Sequence, residues 1–227
     1  MKRKRWIIAM DGPAGVGKST VGNLVAKKLG YHFINTGEMY RALTWKALEE
    51  SVGVTDEKAV FNLAKSLQWR FLPSSDGGTA LHTVVDGCPM TFQIREERVS
   101  RNSSAVASLP SIRQFFCRIQ RRLGKNGGVV MEGRDITTHV FPDADFKIYL
   151  DASITERAKR RYRQLKASGI SAERRRIRES ILVRDLNDIK RKINPLACPP
   201  DAIFIDSTRM TLKQVADKIL RAIKKKR

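Results

Sequence analysis

The run GPAGVGKS at Gly12 to Ser19 narrows what this chain can fold into more than any other feature. It fits the pattern G-x-x-x-x-G-K-[ST], whose small residues let successive backbone N–H groups wrap phosphate oxygens. Such a loop works when a strand leads into it and the positive end of a helix closes it. Both flanks comply: the apolar run Trp6 to Met10 precedes the loop, and Val21, Leu24, Val25, Ala26 and Leu29 follow at near-helical spacing with Gly30 as a C-cap. The pattern assigns Lys18 to the β- and γ-phosphates of ATP and the Ser19 hydroxyl to Mg²⁺. Gly12, Pro13, Ala14, Gly15, Val16, Gly17 and Thr20 complete the expected ATP contacts.

Four further apolar runs read as strands, at Tyr31 to Ile34, Gly128 to Met131, Phe146 to Leu150 and Ile203 to Ile205. The first strand is continuous rather than alternating, as in a parallel sheet covered on both faces, and the same is expected of the others. The predicted fold class is therefore α/β. A closing helix is expected after Thr211 and Gln214, a capping-box pair ahead of Leu212, Val215, Ala216, Ile219 and Ile223. Two stretches interrupt the alternation. Gln68 to Arg98 holds Trp69 to Phe71, a turn cluster at Ser74 to Gly78, Leu81 to Val85 and an Asp86–Gly87 turn, and reads as a small β insertion. Arg157 to Lys192 reads as two surface helices joined around Gly169.

Length and a 41% hydrophobic content favour one core over two. The net charge of +21 is concentrated in Lys2 to Arg5, Lys224 to Arg227 and the stretch Arg157 to Lys192, which has 14 basic and 4 acidic residues. A basic internal segment suits a small polyanion as well as nucleic acid. A nucleic-acid-dependent ATPase would interleave stacking aromatics with that charge, yet only Tyr162 lies between Arg157 and Lys192. No specific nucleic-acid partner is expected. The apolar run after Lys2 to Arg5 stops at Asp11, no stretch is long enough to span a membrane, and Cys88, Cys117 and Cys198 lack metal or disulfide spacing. A cytoplasmic protein with no membrane partner is expected, and a monomer. The cysteines read as small core or pocket-lining groups, and His32, His82 and His139 as surface or strand residues.

The runs NTGEMYR at Asn35 to Arg41, EGRD at Glu132 to Asp135, FPDADFKIYLDAS at Phe141 to Ser153 and RDLNDIKRKINPL at Arg184 to Leu196 together resemble bacterial-type cytidylate kinases. The likeness extends to TVVDG at Thr83 to Gly87 and IREERV at Ile94 to Val99, in the enlarged acceptor region that separates that family from adenylate kinases. It implies a P-loop kinase with a five-stranded parallel sheet, helices on both faces, a β-containing acceptor-binding insertion at about 36–104 and a basic helical lid at about 157–195, all in one domain over 1–227. The implied activity is phosphoryl transfer from ATP, with Mg²⁺, to CMP or dCMP.

The resemblance also assigns residues. Arg41, Arg134 and Arg191 match the arginines that hold the acceptor phosphate and the transferring group. Arg184 and Asp188 match positions near the acceptor ribose and phosphate, and Thr36 and Tyr40 match acceptor-pocket positions. Lys18, Arg134, Arg184 and Arg191 would be catalytic. Arg160 would bind ATP, and Arg157, Arg160 and Arg161 would begin a lid that closes over it. Guanidinium groups suit the task because they bind phosphate oxygens in pairs and never lose charge.

Ser104, Arg113 and Asp135 would read the base, a carboxylate facing the N4 amine of cytosine and an arginine or hydroxyl facing its acceptors. Uracil would aim O4 at the same carboxylate. Asp135 has a plainer reading as a helix cap or a salt-bridge partner of Arg134. Glu132 divides between ordering magnesium-bound water and a structural role, and Arg174, Arg175 and Arg176 read as a solvated lid face. Two positions depart from the family: Asn35 stands where an aspartate is usual, and TTHV at Thr137 to Val140 replaces a glycine-containing run.

Overall fold

The computed structural model describes residues 5–73, 78–167, 169, 171 and 173–225. The basic ends beyond residues 5 and 225 and most of the Ser74 to Gly78 turn cluster lie outside the described residues. In chain order the elements are β1 (Ile7–Asp11), α1 (Lys18–Leu29), β2 (His32–Asn35), α2 (Thr36–Glu49), α3 (Glu57–Ser66), β3 (Trp69–Pro73), β4 (Ala80–Val85) and β5 (Cys88–Pro89). There follow α4 (Glu97–Val106), α5 (Pro110–Gly124), β6 (Val129–Glu132), β7 (Phe146–Asp151), α6 (Ile154–Ala167), α7 (Arg174–Lys190), β8 (Ile203–Asp206) and α8 (Leu212–Lys225).

The sheet has eight strands rather than five, in the order β3-β4-β2-β6-β1-β7-β8 with β5 on β4. Its centre is the expected parallel set of β2, β6, β1, β7 and β8. The extra strands come from the insertion, which does not stand apart as a small sheet. β4 pairs in parallel with β2 through Phe33 with Ala80 and Ile34 with Leu81, and β3 and β5 then add to β4 antiparallel. Alternation within the insertion could not reveal that pairing, because it is a contact between segments far apart in sequence.

Two apolar clusters cover the two sheet faces. Ala9, Val129 and Met131 face one that includes Met39 and Leu43 of α2 and Phe116 of α5. Ile8, Met10, Val130, Ile148 and Leu150 face the other, with Val21 and Val25 of α1 and Val215 and Ile219 of α8. Burial on both faces explains why β1 and β6 read as unbroken apolar runs. The outer strands correct the expectation: β7 alternates buried and half-buried residues, and Phe204 on β8 is 53% exposed. Among the strands, the first cluster draws buried residues from β1, β2, β4 and β6 but none from β7 or β8.

α6 and α7 form a hairpin held by a small cluster of Ala158, Ile177 and Ile181 with Ile154, Tyr162 and Leu165 against it. Cys117 is buried, but Cys88 and Cys198 are exposed rather than core-forming. No helix among the described residues is long and apolar enough to cross a membrane.

Local signals hold where they were complete. Gly30 adopts φ 66° at the end of α1, and Thr211 and Gln214 cap α8 reciprocally, Thr211 N–H donating to Gln214 Oε1 at 2.8 Å and Gln214 N–H to Thr211 Oγ1 at 3.2 Å. Thr211→Ala removes one of these partners and should cost about 1 kcal/mol. In thermal melts this should appear as a fall of roughly 2–4 °C in the unfolding midpoint.

Candidate active site

β1 delivers the chain to Gly12 at φ 144°, where a Cβ would lie 1.9 Å from the carbonyl oxygen of Leu150 on β7. Only glycine lets the loop leave the sheet so close to its neighbour. The loop ends at Lys18, the first residue of α1, which is only 6% exposed. Its ammonium donates to Gly12 O at 2.7 Å and Pro13 O at 2.8 Å. Burial pushes its pKa down to about 7, Arg134 and Arg184 push the same way, and Glu132 and Asp11 oppose them. Ser19 and Thr20 follow, exposed on the first turn.

Glu132 ends β6, in register with Met10 on one side and Asn35 on the other, and is buried. Burial raises its pKa, while Lys18, the nearby Ser19 hydroxyl and Arg134 lower it. Asn35 acts as the N-cap of α2, its side chain accepting from Gly37 N–H at 3.1 Å. As an N-cap, an amide oxygen fills that place as an aspartate would. Thr36 Oγ1 donates to Glu132 O at 2.8 Å, which ties α2 to β6; its hydroxyl proton is committed to the backbone rather than to a pocket.

Beyond Glu132 the chain turns through Gly133, Arg134 and Asp135 into a π-helical turn at Ile136–Val140. Asp11, fully buried, accepts from Ile136 N–H at 3.1 Å, Thr137 N–H at 2.7 Å and Thr137 Oγ1 at 2.6 Å. The departing TTHV run is thus the one whose backbone and hydroxyl satisfy this carboxylate. Burial raises the pKa of Asp11 to about 6 even against those bonds. In the sequence Asp11 only ends an apolar run, and nothing marks it as the buttress of a second loop. Glu38 was equally unmarked; burial and the nearby Glu132 raise it to about 7, with Arg95 and Arg41 opposing.

Arg134 Nε donates to Asp188 Oδ2 of α7 at 2.7 Å, and Arg191, the C-cap of α7, lies 3.7 Å from both Asp188 Oδ1 and Asp135 Oδ1. Burial lowers the pKa of Arg184 to about 10, with Arg134 and Arg41 adding to the shift and Asp188 countering it. Arg41, on α2, donates to Ile94 O and to Ser100 Oγ, each at 2.6 Å. It too is lowered to about 10, by burial and then by Arg161. Lys18, Arg134, Arg184, Arg191 and Arg41 therefore form one electrostatically linked group gathered from four parts of the chain.

Asp135 does not pair with its neighbour Arg134. Its Oδ2 accepts from Arg113 Nη2 of α5, both side chains being buried, and Arg113 lies 5.8 Å above the Tyr40 ring. Burial raises the Tyr40 phenol to about 12, so it stays a proton donor. Among the described residues, Arg113 Nε and Arg191 Nη2 are buried donors without a hydrogen-bond partner. Ser104 is half-buried on α4, and its neighbour Ser103 is the buried one.

The expected lid arginines divide. Arg157 is 7% exposed and points inward: Nε donates to Ala152 O at 3.0 Å, and Nη1 to Ala14 O at 3.2 Å and to Asp185 Oδ2. It is a strut against the phosphate loop rather than a lid residue free to swing over ATP. Arg160 donates to Val16 O at 3.0 Å and Ser207 O at 2.7 Å, so much of its hydrogen-bonding capacity goes to the protein. Arg161 alone faces the arginine group, through Arg41.

A glycine-rich phosphate loop between an inner strand of a mostly parallel sheet and a helix headed by a buried lysine defines a P-loop kinase fold. The family model described as Cytidylate kinase matches residues 8–225. The chain is 43% identical over 223 residues to Cytidylate kinase of Bacillus subtilis (strain 168), covering 98% of each. It is 44% identical over 220 residues to Bifunctional pantoate ligase/cytidylate kinase of Synechococcus sp. (strain JA-3-3Ab), covering 96% of this chain and 40% of that one. This chain belongs to the cytidylate kinase family. Among solved structures it is similar to a shikimate kinase from Acinetobacter baumannii in complex with shikimate, at 16% identity and a TM-score of 0.45, covering 98% and 95% of the two chains.

The lowered pKa of Lys18 gives a signed prediction. A triphosphate beside Lys18 favours its charged form, so binding at about pH 8 should draw a proton from solution. Calorimetric titration with a non-hydrolysable ATP analogue in buffers of different ionisation enthalpy should register this uptake, and Lys18→Ala should abolish it. No uptake in the native protein would mean that Lys18 is already charged.

Proposed function

We propose that the chain transfers the γ-phosphoryl group of ATP to CMP or dCMP, giving ADP and CDP or dCDP. The observation that carries this reading is the crowding of partly buried cations beside the phosphate loop. Burial depresses Lys18, Arg184 and Arg41, and each is depressed further by another cation. A site that holds like charges together out of water is complementary to polyanions, and a kinase must bring two of them end to end.

In this reading the loop from Gly12 to Thr20 holds the ATP phosphates, and Lys18 shifts its donors from Gly12 O and Pro13 O to phosphate oxygens. Arg41, Arg134 and Arg191 hold the acceptor phosphate and the transferring group, and Arg184 approaches the acceptor ribose and phosphate, with Asp188 orienting Arg134 and Arg191. The acceptor phosphate is already an anionic nucleophile near neutral pH, so alignment and charge stabilisation are the protein's work and no base is assigned. Arg161 remains the lid arginine placed to approach the phosphates.

Mg²⁺ fits the oxygen donors beside the loop. The Ser19 hydroxyl would hold it, and the neighbouring Glu132 would order its water shell. When bound, the ion neutralises charge on the phosphate oxygens.

Asp135, with Arg113 and Arg191 against it, supports base discrimination. Arg113 Nε and Arg191 Nη2, neither of them hydrogen-bonded, supply donors for cytosine acceptors or a phosphate, while the carboxylate suits the exocyclic amine. The rival reading, a nucleic-acid-dependent ATPase, loses its one candidate stacking residue: Tyr162 packs between α6 and α7 and is covered by Arg174 at 4.7 Å.

ADP release should be measured with ATP, Mg²⁺ and CMP, dCMP, UMP, AMP, dTMP or polynucleotides as acceptors. CMP and dCMP should support turnover; stimulation by RNA or DNA but not by CMP would reject the reading. Lys18→Ala should depress turnover with every acceptor by about a hundredfold or more. Asp135→Ala should reduce the CMP-to-UMP preference at least about tenfold, and an unchanged ratio would remove Asp135 from base readout.

A further inference from the structure

Residues distant in sequence also hold the phosphate loop at its middle. Pro13 and Ala14 lie between Gly12 at φ 144° and Gly15 at φ 80°, and glycine loses more conformational freedom on ordering than any other residue. The Ala14 peptide groups are held from outside. Ala14 N–H donates to Asp185 Oδ1 at 3.1 Å, and Ala14 O accepts from Arg157 Nη1 at 3.2 Å. Arg157 and Asp185 also pair with each other, with side chains 9% exposed in both cases. A Cβ on Gly15 would lie 3.4 Å from the Cβ of Arg157, so the loop rests directly on the start of α6.

We propose that Asp185 and Arg157 are positioning residues that set the geometry of the ATP-binding loop, an inference that rests on the kinase reading only in naming ATP as the loop's ligand. A buried ion pair contributes little net stability against its desolvation. What this pair supplies is direction, since one ion binds the N–H and the other the carbonyl of one residue. Asp185 carries negative charge and has no attraction for phosphate, so its effect on ATP passes through the loop. Its neighbour Arg184 belongs to the arginine group together with Asp188, so α7 serves both sides of the site.

Affinity for a non-hydrolysable ATP analogue tests this without any acceptor. Asp185→Asn keeps the shape but removes the charge that holds Arg157, and should weaken binding about tenfold or more. The paired change Arg157→Met with Asp185→Leu removes both buried charges together and so spares the fold. It should weaken the analogue by at least as much with a similar unfolding midpoint. Ile181→Val, which loosens the α6–α7 contact without touching the pair, should leave affinity within about twofold.

Steady-state kinetics with CMP should show the KM for ATP raised and that for CMP little changed. Unchanged analogue affinity in both pair variants would overturn the proposal. So would tighter binding in Asp185→Asn, which would make the carboxylate a competitor of phosphate. An equal loss in Ile181→Val would reduce the pair to general support. Failure of the native protein to phosphorylate CMP would instead count against the acceptor reading and leave the affinity test standing.

Discussion

Lys18 sits 6% exposed with its ammonium on two loop carbonyls at 2.7 and 2.8 Å, and the surrounding architecture answers to that charge. Holding an ammonium out of water is costly unless partners replace its hydration. Two carbonyls and the nearby carboxylates of Glu132 and Asp11 do so in part, while Arg134 and Arg184 act against them. The remainder is potential that an anion can satisfy. The phosphate loop, the carboxyl ends of β1 and β6, and the inner side of α7 all bear on this one group.

Carboxylates distribute the cations rather than cancel them. Asp188 holds Arg134 and lies near Arg191, Asp135 holds Arg113, and Asp185 holds Arg157. Each pair joins different elements, so the ion pairs also lock α5, α6, α7 and the segment after β6 into one arrangement. Asp11 does the same without a cation, spending both oxygens on the turn after Asp135. The base-reading candidates and the phosphate loop are therefore anchored to the same strand end.

Much of this was legible before folding. The loop motif, the five central strands and the caps of α1 and α8 are local signals, and each lies within a residue or two of its expected place. The arginines were legible through family resemblance, because no spacing within the chain would select Arg41, Arg134, Arg184 and Arg191 from so many basic residues. The misreadings share a cause. Arg157 reads as a lid arginine that would close over ATP, and only the approach of α6 to the loop turns it inward. β4 looks like part of an isolated hairpin, and only its pairing with β2 makes it part of the main sheet.

The amino-acid sequence by itself determined the α/β class, the phosphate loop and the approximate bounds of the five central strands and of α1 and α8, because hydrophobic period, glycine freedom and capping act over a few residues. Tertiary structure decided which charges face one another. Asp11 became a buttress, Asp185 a clamp and Asp188 a bridge between arginines through contacts that span 28 to 171 residues of chain, except for the bridge's local arm to Arg191. Burial and charge proximity are properties of folded space, and no local pattern encodes them.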